Sequence, residues 1–307
     1  MEGKVIKSTG SWYHVLAKDG KEYNCRLRGK FKIQGLKVTN PVAVGDRVQV
    51  EIEDVEEETG VITDIHPRDN YIIRKSTRKK YHGHILATNI DQAVLLATLV
   101  LPRTSLGFMD RFLVSAESFR IPALIIFNKK DLLEEAQLAQ QRELMEMYEA
   151  IGYRCIEISA FDQADIDKVK AVLKGKTSLL SGHSGVGKST LLNRIDPSVE
   201  QKTSEVSTFA NKGVHTTTYA EMFSVDQDTF VIDTPGIKEL GLMDINEGEI
   251  SHYFPEMREF LGECKFHDCT HTHEPGCVVM DAVEEGQIAG SRYYSYLSML
   301  ENEDTHR

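Results

Sequence analysis

The sequence lacks any long hydrophobic run. No segment approaches the about 18 uninterrupted apolar residues of a membrane-spanning helix, and the first ten residues, MEGKVIKSTG, lack the apolar stretch of a signal peptide. Internal repeats and low-complexity segments are also missing. We therefore expect a cytoplasmic protein with no membrane association. Its 307 residues, 41% of them hydrophobic, are enough for two or three globular domains.

Cysteine is scarce, with five residues in the chain. Cys25 and Cys155 lie alone in strand-like segments, where we expect small buried hydrophobic residues. The other three fall within fourteen residues, in the pattern Cys264-x4-Cys269-x-His271-x5-Cys277. An odd count and this grouping favour a metal over disulfides, and three thiolates with one imidazole form the ligand set of a structural zinc site. His267 and His273 are also within reach, which leaves the histidine ligand open.

Positive charge is in deficit over the whole chain, whose formal net charge is −11. This argues against a protein that clamps nucleic acid with its entire surface. The deficit is uneven, because residues 1–82 hold 16 Lys and Arg against 12 Asp and Glu, while the remainder holds 20 against 35. The first part therefore has a net charge of +4 and the remainder one of −15, and such an asymmetry can orient a protein on a polyanion. Residues 68–80 carry six basic residues and one acidic residue, and we expect a linker there that either contacts RNA or is simply solvated.

Short alternating runs fill residues 5–66 and predict about five strands. This many strands in so short a segment predicts a small β-barrel, for which the OB-fold is the nucleic-acid-binding example. Four aromatic residues of this region could stack on bases, although a core position is expected for most of them: Trp12, Tyr13, Tyr23 and Phe31. We predict an OB-fold domain over residues 1–73 and a basic linker over 74–84.

From Gln92 onward, continuous apolar runs alternate with helix-like segments. This alternation predicts a parallel sheet covered by helices on both faces. It stops near residue 240, where a loop- and helix-rich tail with the cysteine and histidine cluster begins. The fold class we predict is therefore multidomain, α/β plus β: the barrel, an α/β domain over residues 85–240 and a helical zinc-binding domain over 241–307.

A phosphate-binding loop is predicted at residues 182–189, which fit the pattern G-x-x-x-x-G-K-[ST] between an apolar run and a helix-like segment. Its members are Gly182, His183, Ser184, Gly185, Val186, Gly187, Lys188 and Ser189. Glycines let backbone N–H groups point at phosphate oxygens, and the helix N-terminus adds partial positive charge. Lys188 would reach the β- and γ-phosphates and Ser189 a Mg²⁺ ion, while backbone near Gly185, Gly187 and Thr190 holds the other phosphates. His183 is expected to contribute only its backbone.

The base is indicated by Asn128-Lys129-Lys130-Asp131, which resembles the guanine-specificity motif of GTPases. In that resemblance Asp131 accepts hydrogen bonds from guanine N1 and N2, and Asn128 braces the site. Ser159-Ala160 resembles the second guanine-contacting loop. Asp233-Thr234-Pro235-Gly236 resembles the D-x-x-G element that contacts Mg²⁺ and the γ-phosphate. In His215-Thr216-Thr217-Thr218, either Thr216 or Thr217 resembles the switch threonine.

The order of these motifs differs from that of an ordinary GTPase, because the base motifs here precede the phosphate loop. The domain therefore resembles a circularly permuted GTPase, in which the second switch leads directly into the C-terminal domain. We hypothesise that residues 234–245 pass the γ-phosphate state to that domain. Ile237 stands where many GTPases place a water-orienting glutamine, so intrinsic turnover should be slow. His215 is the candidate for a replacement catalytic group.

The barrel with Val44-Gly-Asp-Arg-Val48, the permuted motifs and the C-x4-C-x-H-x5-C cluster together resemble the RsgA/YjeQ/YloQ family over essentially the whole chain. The resemblance implies GTP hydrolysis stimulated by the 30S subunit during its late maturation, with 16S rRNA bound by the barrel and the zinc domain. It also implies Mg²⁺ with GTP, one structural Zn²⁺ and His215 in place of glutamine. His183 departs from the glutamine that relatives often carry.

Two alternatives stay open at this point. A permuted GTPase of the large subunit would share the motifs, and a nucleotide-switched RNA-binding protein with negligible turnover would fit Ile237. We expect a monomer when the protein is free.

Overall fold

The computed structural model describes residues 1–29, 40–75, 83–197, 220–233 and 246–301. In chain order the strands and helices are β1 (Glu2–Ser8), β2 (Tyr13–Ala17), β3 (Glu22–Leu27), β4 (Arg47–Asp54), β5 (Thr59–Ile65), β6 (Tyr71–Lys75), β7 (Gly83–Thr88), β8 (Gln92–Ala97), α1 (Leu106–Ser118), β9 (Ala123–Phe127), α2 (Glu135–Ala150), β10 (Arg154–Glu157), α3 (Gln163–Leu173), β11 (Thr177–Ser181), α4 (Lys188–Ile195), β12 (Glu221–Ser224), β13 (Phe230–Asp233), α5 (Pro255–Arg258), α6 (Val278–Glu284) and α7 (Gly290–Leu300). Two 3₁₀ segments cover Lys130–Leu132 and Glu247–Tyr253.

The chain divides into two compact units. The first unit comprises Met1–Val94, Ala160–Gly182 and Gly187–Gly241. The second unit comprises Leu95–Ser159, His183–Val186 and Leu242–Arg307.

The first five strands of the first unit close into a barrel. They pair in the order β1-β2-β3-β5-β4, and β4 pairs back with β1. Alternation of inward and outward side chains fills the interior with residues such as Val5, Val15, Cys25, Val48 and Ile62, all fully buried. A parallel β3–β5 pair is the one parallel pairing among these strands. The expected OB-like barrel of five strands is confirmed.

An antiparallel hairpin of β6 and β7 follows the barrel. Tyr71–Lys75 is a strand although residues 68–80 were expected to form a linker, and β6 and β7 overlap the predicted linker of residues 74–84 at both its ends. The apolar signal for β6 consists of three residues, Tyr71, Ile72 and Ile73, which is too short for a period to show. Residues 76–82 lie outside the described part of the chain.

The first unit also holds β11, β13 and β12, which pair in that order, with β12 continuing to β1 of the barrel. Strands β11 and β13 are parallel, as expected, and the five residues of β11 are all buried. Strand β12 is antiparallel to β13 and was not predicted, because four residues give no usable period.

The second unit contains the parallel pair β9–β10 with helices α1 and α2, and a helical C-terminal region, residues 246–301. Helix α1 begins after Ser105, whose side chain accepts a hydrogen bond from the N–H of Phe108. Val114 of α1 belongs to the same core as Phe254, Met257 and Tyr296 of the C-terminal region. In the described part of the chain, no helix is both long and apolar enough to cross a membrane.

A buried ionic cluster joins α1, α5 and α7 of the second unit. Arg292 donates from Nη1 to Oδ1 of Asp110 at 2.7 Å and from Nε to Oε1 of Glu256 at 2.7 Å. The hydroxyl of Tyr148 on α2 donates to the same oxygen of Asp110 at 2.8 Å. The side chains of Arg292 and Asp110 are each 1% exposed, so the C-terminal region is attached to α1 through charges that water does not reach.

Candidate functional site

In the first unit, Gly182, the first residue of the predicted phosphate loop, follows β11, and Asp233 ends the neighbouring parallel strand β13. Leu180 of β11 lies opposite Asp233, the last residue of β13. Carboxyl ends of adjacent parallel strands are where ligands bind in open α/β sheets. Gly187 of the loop, with φ of 100°, directly precedes the first residue of α4. A positive φ at this position favours glycine.

Lys188 is the first residue of α4, and its ammonium group turns back over the loop. Its Nζ donates to the carbonyl of Gly182 at 2.6 Å. Burial lowers the pKa of Lys188, while the negative charge of Asp233 acts in the opposite direction. A partly desolvated cation at a helix N-terminus is well placed to bind an anion such as phosphate.

In the second unit, the predicted base motif is hydrogen-bonded to the middle of the phosphate loop. The buried amide of Asn128 donates from Nδ2 to the carbonyl of Val186 at 2.8 Å, and the Nζ of Lys129 donates to the carbonyl of Gly185 at 2.7 Å. Lys129 also donates to the carbonyl of Leu101. Asn128 therefore contacts the loop directly, and Lys129 adds a second contact.

Two further contacts of the loop were not foreseen. The ring of His183 lies on the ring of Phe108 in α1, with centroids 3.8 Å apart. His183 was expected to contribute only its backbone, and the structure adds this side-chain contact. A Cβ on Gly185, where φ is +86°, would come within 3.3 Å of Cδ of Pro102. The sequence carries no local signal for either contact, because Phe108 and Pro102 lie about eighty residues away from the loop.

The other predicted base residues occupy the ends of β9 and β10. The N–H of Lys130 donates to the carbonyl of Ile158 at 3.1 Å, which holds the motif beside the exit of β10. Asp131 is exposed, whereas Ser159 and Ala160 are buried. In the loop, Ser184 and Gly185 are exposed, and so is Ser189 on α4.

Several predicted residues lie outside the described part of the chain. They are His215, Thr216, Thr217 and Gly236. Their assigned roles stay predictions, as does the coupling role of residues 234–245.

The predicted metal ligands converge in the C-terminal region. The ligand atoms of Cys264, Cys269, His271 and Cys277 all lie within 4.8 Å of one another. Nδ1 of His271 is 3.4 Å from Sγ of Cys277 and 3.6 Å from Sγ of Cys264. Three sulfurs and one nitrogen around one point fit a tetrahedral structural metal. The side chains of His267 and His273, which the sequence left as alternatives, are exposed.

A second set of side chains fixes the loop that carries His271. Glu274 accepts from the N–H of Thr270 at 2.7 Å and from that of Thr272 at 3.0 Å. Burial would raise the pKa of Glu274, but hydrogen bonds from Thr270 and Thr272 hold it below its usual value. Tyr293 of α7 donates from its hydroxyl to the carbonyl of His271 at 2.7 Å. Such outer contacts orient metal ligands, and no local pattern in the sequence predicts them.

A glycine-rich loop between a buried strand and a helix, together with an N-K-x-D sequence at a strand end, defines a P-loop GTPase. Because the base motif precedes the phosphate loop in this chain, the GTPase is circularly permuted.

Comparison with known proteins specifies the family. Residues 65–243 match the model described as RsgA GTPase, and residues 2–62 match the RsgA N-terminal domain. The chain belongs to the RsgA GTPase family.

Relatives and solved structures extend over the whole length. The chain is 53% identical to the small ribosomal subunit biogenesis GTPase RsgA of Christiangramia forsetii, covering 99% of this chain and 97% of the relative. It is also 53% identical to the protein of that name from Cytophaga hutchinsonii, covering 100% of each. YjeQ from Thermotoga maritima superposes with a TM-score of 0.77 at 36% identity, over 100% of this chain and 99% of that one. YloQ, described as a circularly permuted GTPase, gives 0.74 at 32% identity, over 100% and 96%.

Proposed function

We propose that this protein hydrolyses GTP to GDP and phosphate during late maturation of the 30S ribosomal subunit, which stimulates the reaction, and that it binds 16S rRNA. The observation that carries the nucleotide part is the bracing of the phosphate loop by Asn128 and Lys129. These two hydrogen bonds tie the base motif directly to Gly185 and Val186 of the phosphate loop. A loop that merely turned the chain would not need them.

Guanine is the base that the exposed Asp131 would select. Its carboxylate would accept from guanine N1 and N2, positions at which adenine offers no matching donors. Ser159 and Ala160 would form the second base-contacting loop, with the N–H of Ala160 directed to the base oxygen. Asn128 acts through the loop and is a positioning residue.

The phosphates would lie against Lys188 and the backbone of residues 182–190. Ser189 and Asp233 would hold Mg²⁺, which neutralises charge on the β- and γ-phosphate oxygens when it is bound. Thr216 or Thr217 would complete that site, and His215 would orient the attacking water in place of the glutamine that Ile237 replaces. Slow turnover without a partner follows, since an aliphatic side chain cannot orient water.

The metal of the C-terminal cluster is proposed to be one zinc ion, held by Cys264, Cys269, His271 and Cys277. Four protein ligands leave no position for a catalytic water, so the ion would be structural. Elemental analysis of the purified protein should give one zinc per chain.

Small-subunit maturation is supported by the names of the relatives, which are small ribosomal subunit biogenesis GTPases. The net positive charge of residues 1–82 and an exposed Trp12 on the barrel are consistent with RNA as the ligand of that domain.

The test is phosphate release from GTP and from ATP by the zinc-loaded protein, alone and with purified 30S or 50S subunits. We expect turnover of GTP only, accelerated by 30S. Asp131→Asn should shift the preference toward xanthosine nucleotides, whereas Asp167→Asn, at an exposed position of α3, should not. Acceleration by 50S would favour a large-subunit GTPase, and GTP binding without turnover under any condition would favour a nucleotide-switched RNA-binding protein.

A further inference from the structure

The barrel contributes two lysines from one strand to the nucleotide-binding sheet of the first unit. On β1, Lys4 donates from Nζ to Oγ1 of Thr177 at 3.4 Å, and its Nζ lies 3.9 Å from the ring centroid of Phe230. Lys7 donates from Nζ to Oε1 of Glu221 at 2.9 Å. Strand β1 therefore contacts β11, β12 and β13.

A β-bulge makes this double contact possible. Residues three apart on a regular strand point to opposite faces, but the register of β1 against β2 shifts between Val5 and Lys7. Lys4 and Lys7 consequently lie opposite Leu16 and His14, which alternate with the buried residues of β2. Both lysines point out of the barrel.

Lys7, Glu221 and Asp233 form a row across three strands. Glu221 is the cross-strand partner of Lys7 on β1 and, on its other side, of Asp233 on β13. Directly opposed residues in a sheet carry their side chains on the same face, and like charges in this position repel. Glu221 thus places a second carboxylate beside Asp233, and Lys7 neutralises it.

We infer that Lys7 is a positioning residue of the nucleotide site, which acts by cancelling the charge of Glu221 next to Asp233. The inference rests on the proposed role of Asp233 at the Mg²⁺ and γ-phosphate position. GTP carries more negative charge than GDP at this point. Without Lys7, the uncompensated Glu221 would disfavour GTP more than GDP, so the barrel takes part in choosing between them.

The charges of Lys7 and Glu221 are weakly screened by water because both side chains are only partly exposed. The side chains of Lys7 and Glu221 are each 25% exposed, compared with 58% for both members of the barrel pair Arg28 and Glu51. Loss of a partly exposed ion pair corresponds to a change of about two- to fivefold in an equilibrium constant. The effect is therefore measurable in binding and should weaken as salt is raised.

The experiment is titration of a non-hydrolysable GTP analogue and of GDP, at saturating Mg²⁺, into the full-length protein. Lys7→Met should raise the ratio of Kd for the analogue to Kd for GDP about two- to fivefold. Glu221→Gln should not raise it, and the double variant should behave as Glu221→Gln does, because no charge then needs cancelling. Arg28→Ala, which breaks an exposed ion pair of the same barrel, should leave the ratio unchanged.

The double variant separates this role from a purely structural one. If Lys7 only attached the barrel to the sheet, the double variant would keep the raised ratio of Lys7→Met, and the inference would be wrong. An unchanged ratio in Lys7→Met, with normal binding of both nucleotides, would also overturn it while leaving the proposed function intact. Failure of the natural sequence to bind either nucleotide would instead overturn the proposed function itself.

Discussion

The barrel of residues 2–65 and the C-terminal region of residues 246–301 are of similar length, but their cores differ in kind. The barrel is filled by apolar side chains alternating along five strands, which backbone hydrogen bonds tie together. The C-terminal region has three helices of four, seven and eleven residues. Helices shorter than about 12 residues are marginal on their own. The region adds a ligand cluster and buried charges to its core, and we infer that it depends on them.

The largest effect expected from this difference is that of metal removal. Zinc-finger peptides bind their metal with an apparent free energy of about 10–16 kcal/mol, much of which is folding free energy. A chelator, or Cys277→Ser, should abolish hydrogen-exchange protection in residues 255–300 while the barrel strands keep theirs. Mass-spectrometric hydrogen exchange resolves the two regions in one experiment.

Cys25 provides the matched control for that experiment. It is a fully buried cysteine of the barrel core and lies outside the metal cluster. Cys25→Ala should cost about 1 kcal/mol, with no dependence on chelator. Protection of residues 255–300 that survives complete metal removal would show that the apolar core of the region suffices.

The second effect concerns buried charge. Arg292→Met would leave the carboxylates of Asp110 and Glu256 without the cation that both contact. Removing one member of a buried ion cluster costs about 3–5 kcal/mol. We expect a loss of this size in the stability of the C-terminal region, measured by denaturant-dependent hydrogen exchange. Combining Arg292→Met with Asp110→Asn and Glu256→Gln should recover part of it.

Asp46 of the barrel forms a comparable pair with Arg68, which lies just after the last barrel strand, and this pair sharpens the comparison. Arg68 donates from Nε to Oδ1 of Asp46 at 2.7 Å, but the carboxylate also accepts from the N–H of Ala43 at 2.9 Å and from Oγ1 of Thr88 at 2.8 Å. Because these donors remain, Arg68→Met should cost less than Arg292→Met, about 1–3 kcal/mol. Equal losses would mean that the number of remaining donors does not decide the outcome.

Both regions also show which features are readable from the sequence. The barrel strands, β11 with the phosphate loop, and the cysteine spacing were predicted because each is a local pattern of period or composition. The strand β12 was missed because four residues carry no period. Arg292 and Asp110 are 182 positions apart, and no local rule selects one partner for another over that distance.

The features of the candidate site also differ in whether the sequence predicts them. Residues of the phosphate loop and the base motif were found from their order and flanking strands. The contact of Phe108 with His183 and the row from Lys7 to Asp233 depend on how strands and helices are brought together. Such contacts follow from tertiary packing, which the period of a segment does not encode.

The smallest expected effect concerns the surface of the barrel. Because the barrel core is complete without them, exposed aromatic residues of the barrel are not required for folding. Tyr13 and Tyr23 are buried, whereas Trp12 is 44% exposed, with the guanidinium carbon of Arg26 5.4 Å from its ring centroid. Trp12→Ala should change stability by no more than about 0.5 kcal/mol and weaken binding of single-stranded RNA by about 1–3 kcal/mol, the range for one stacked base. Fluorescence anisotropy of a labelled oligonucleotide measures this change in affinity, and the fluorescence of Trp12, the one tryptophan of the chain, should be quenched on binding.

The control is Ile52→Ala, at a barrel position of similar exposure with no aromatic face, which should leave RNA affinity unchanged. Equal losses in the two variants would assign the contribution to apolar area and not to stacking.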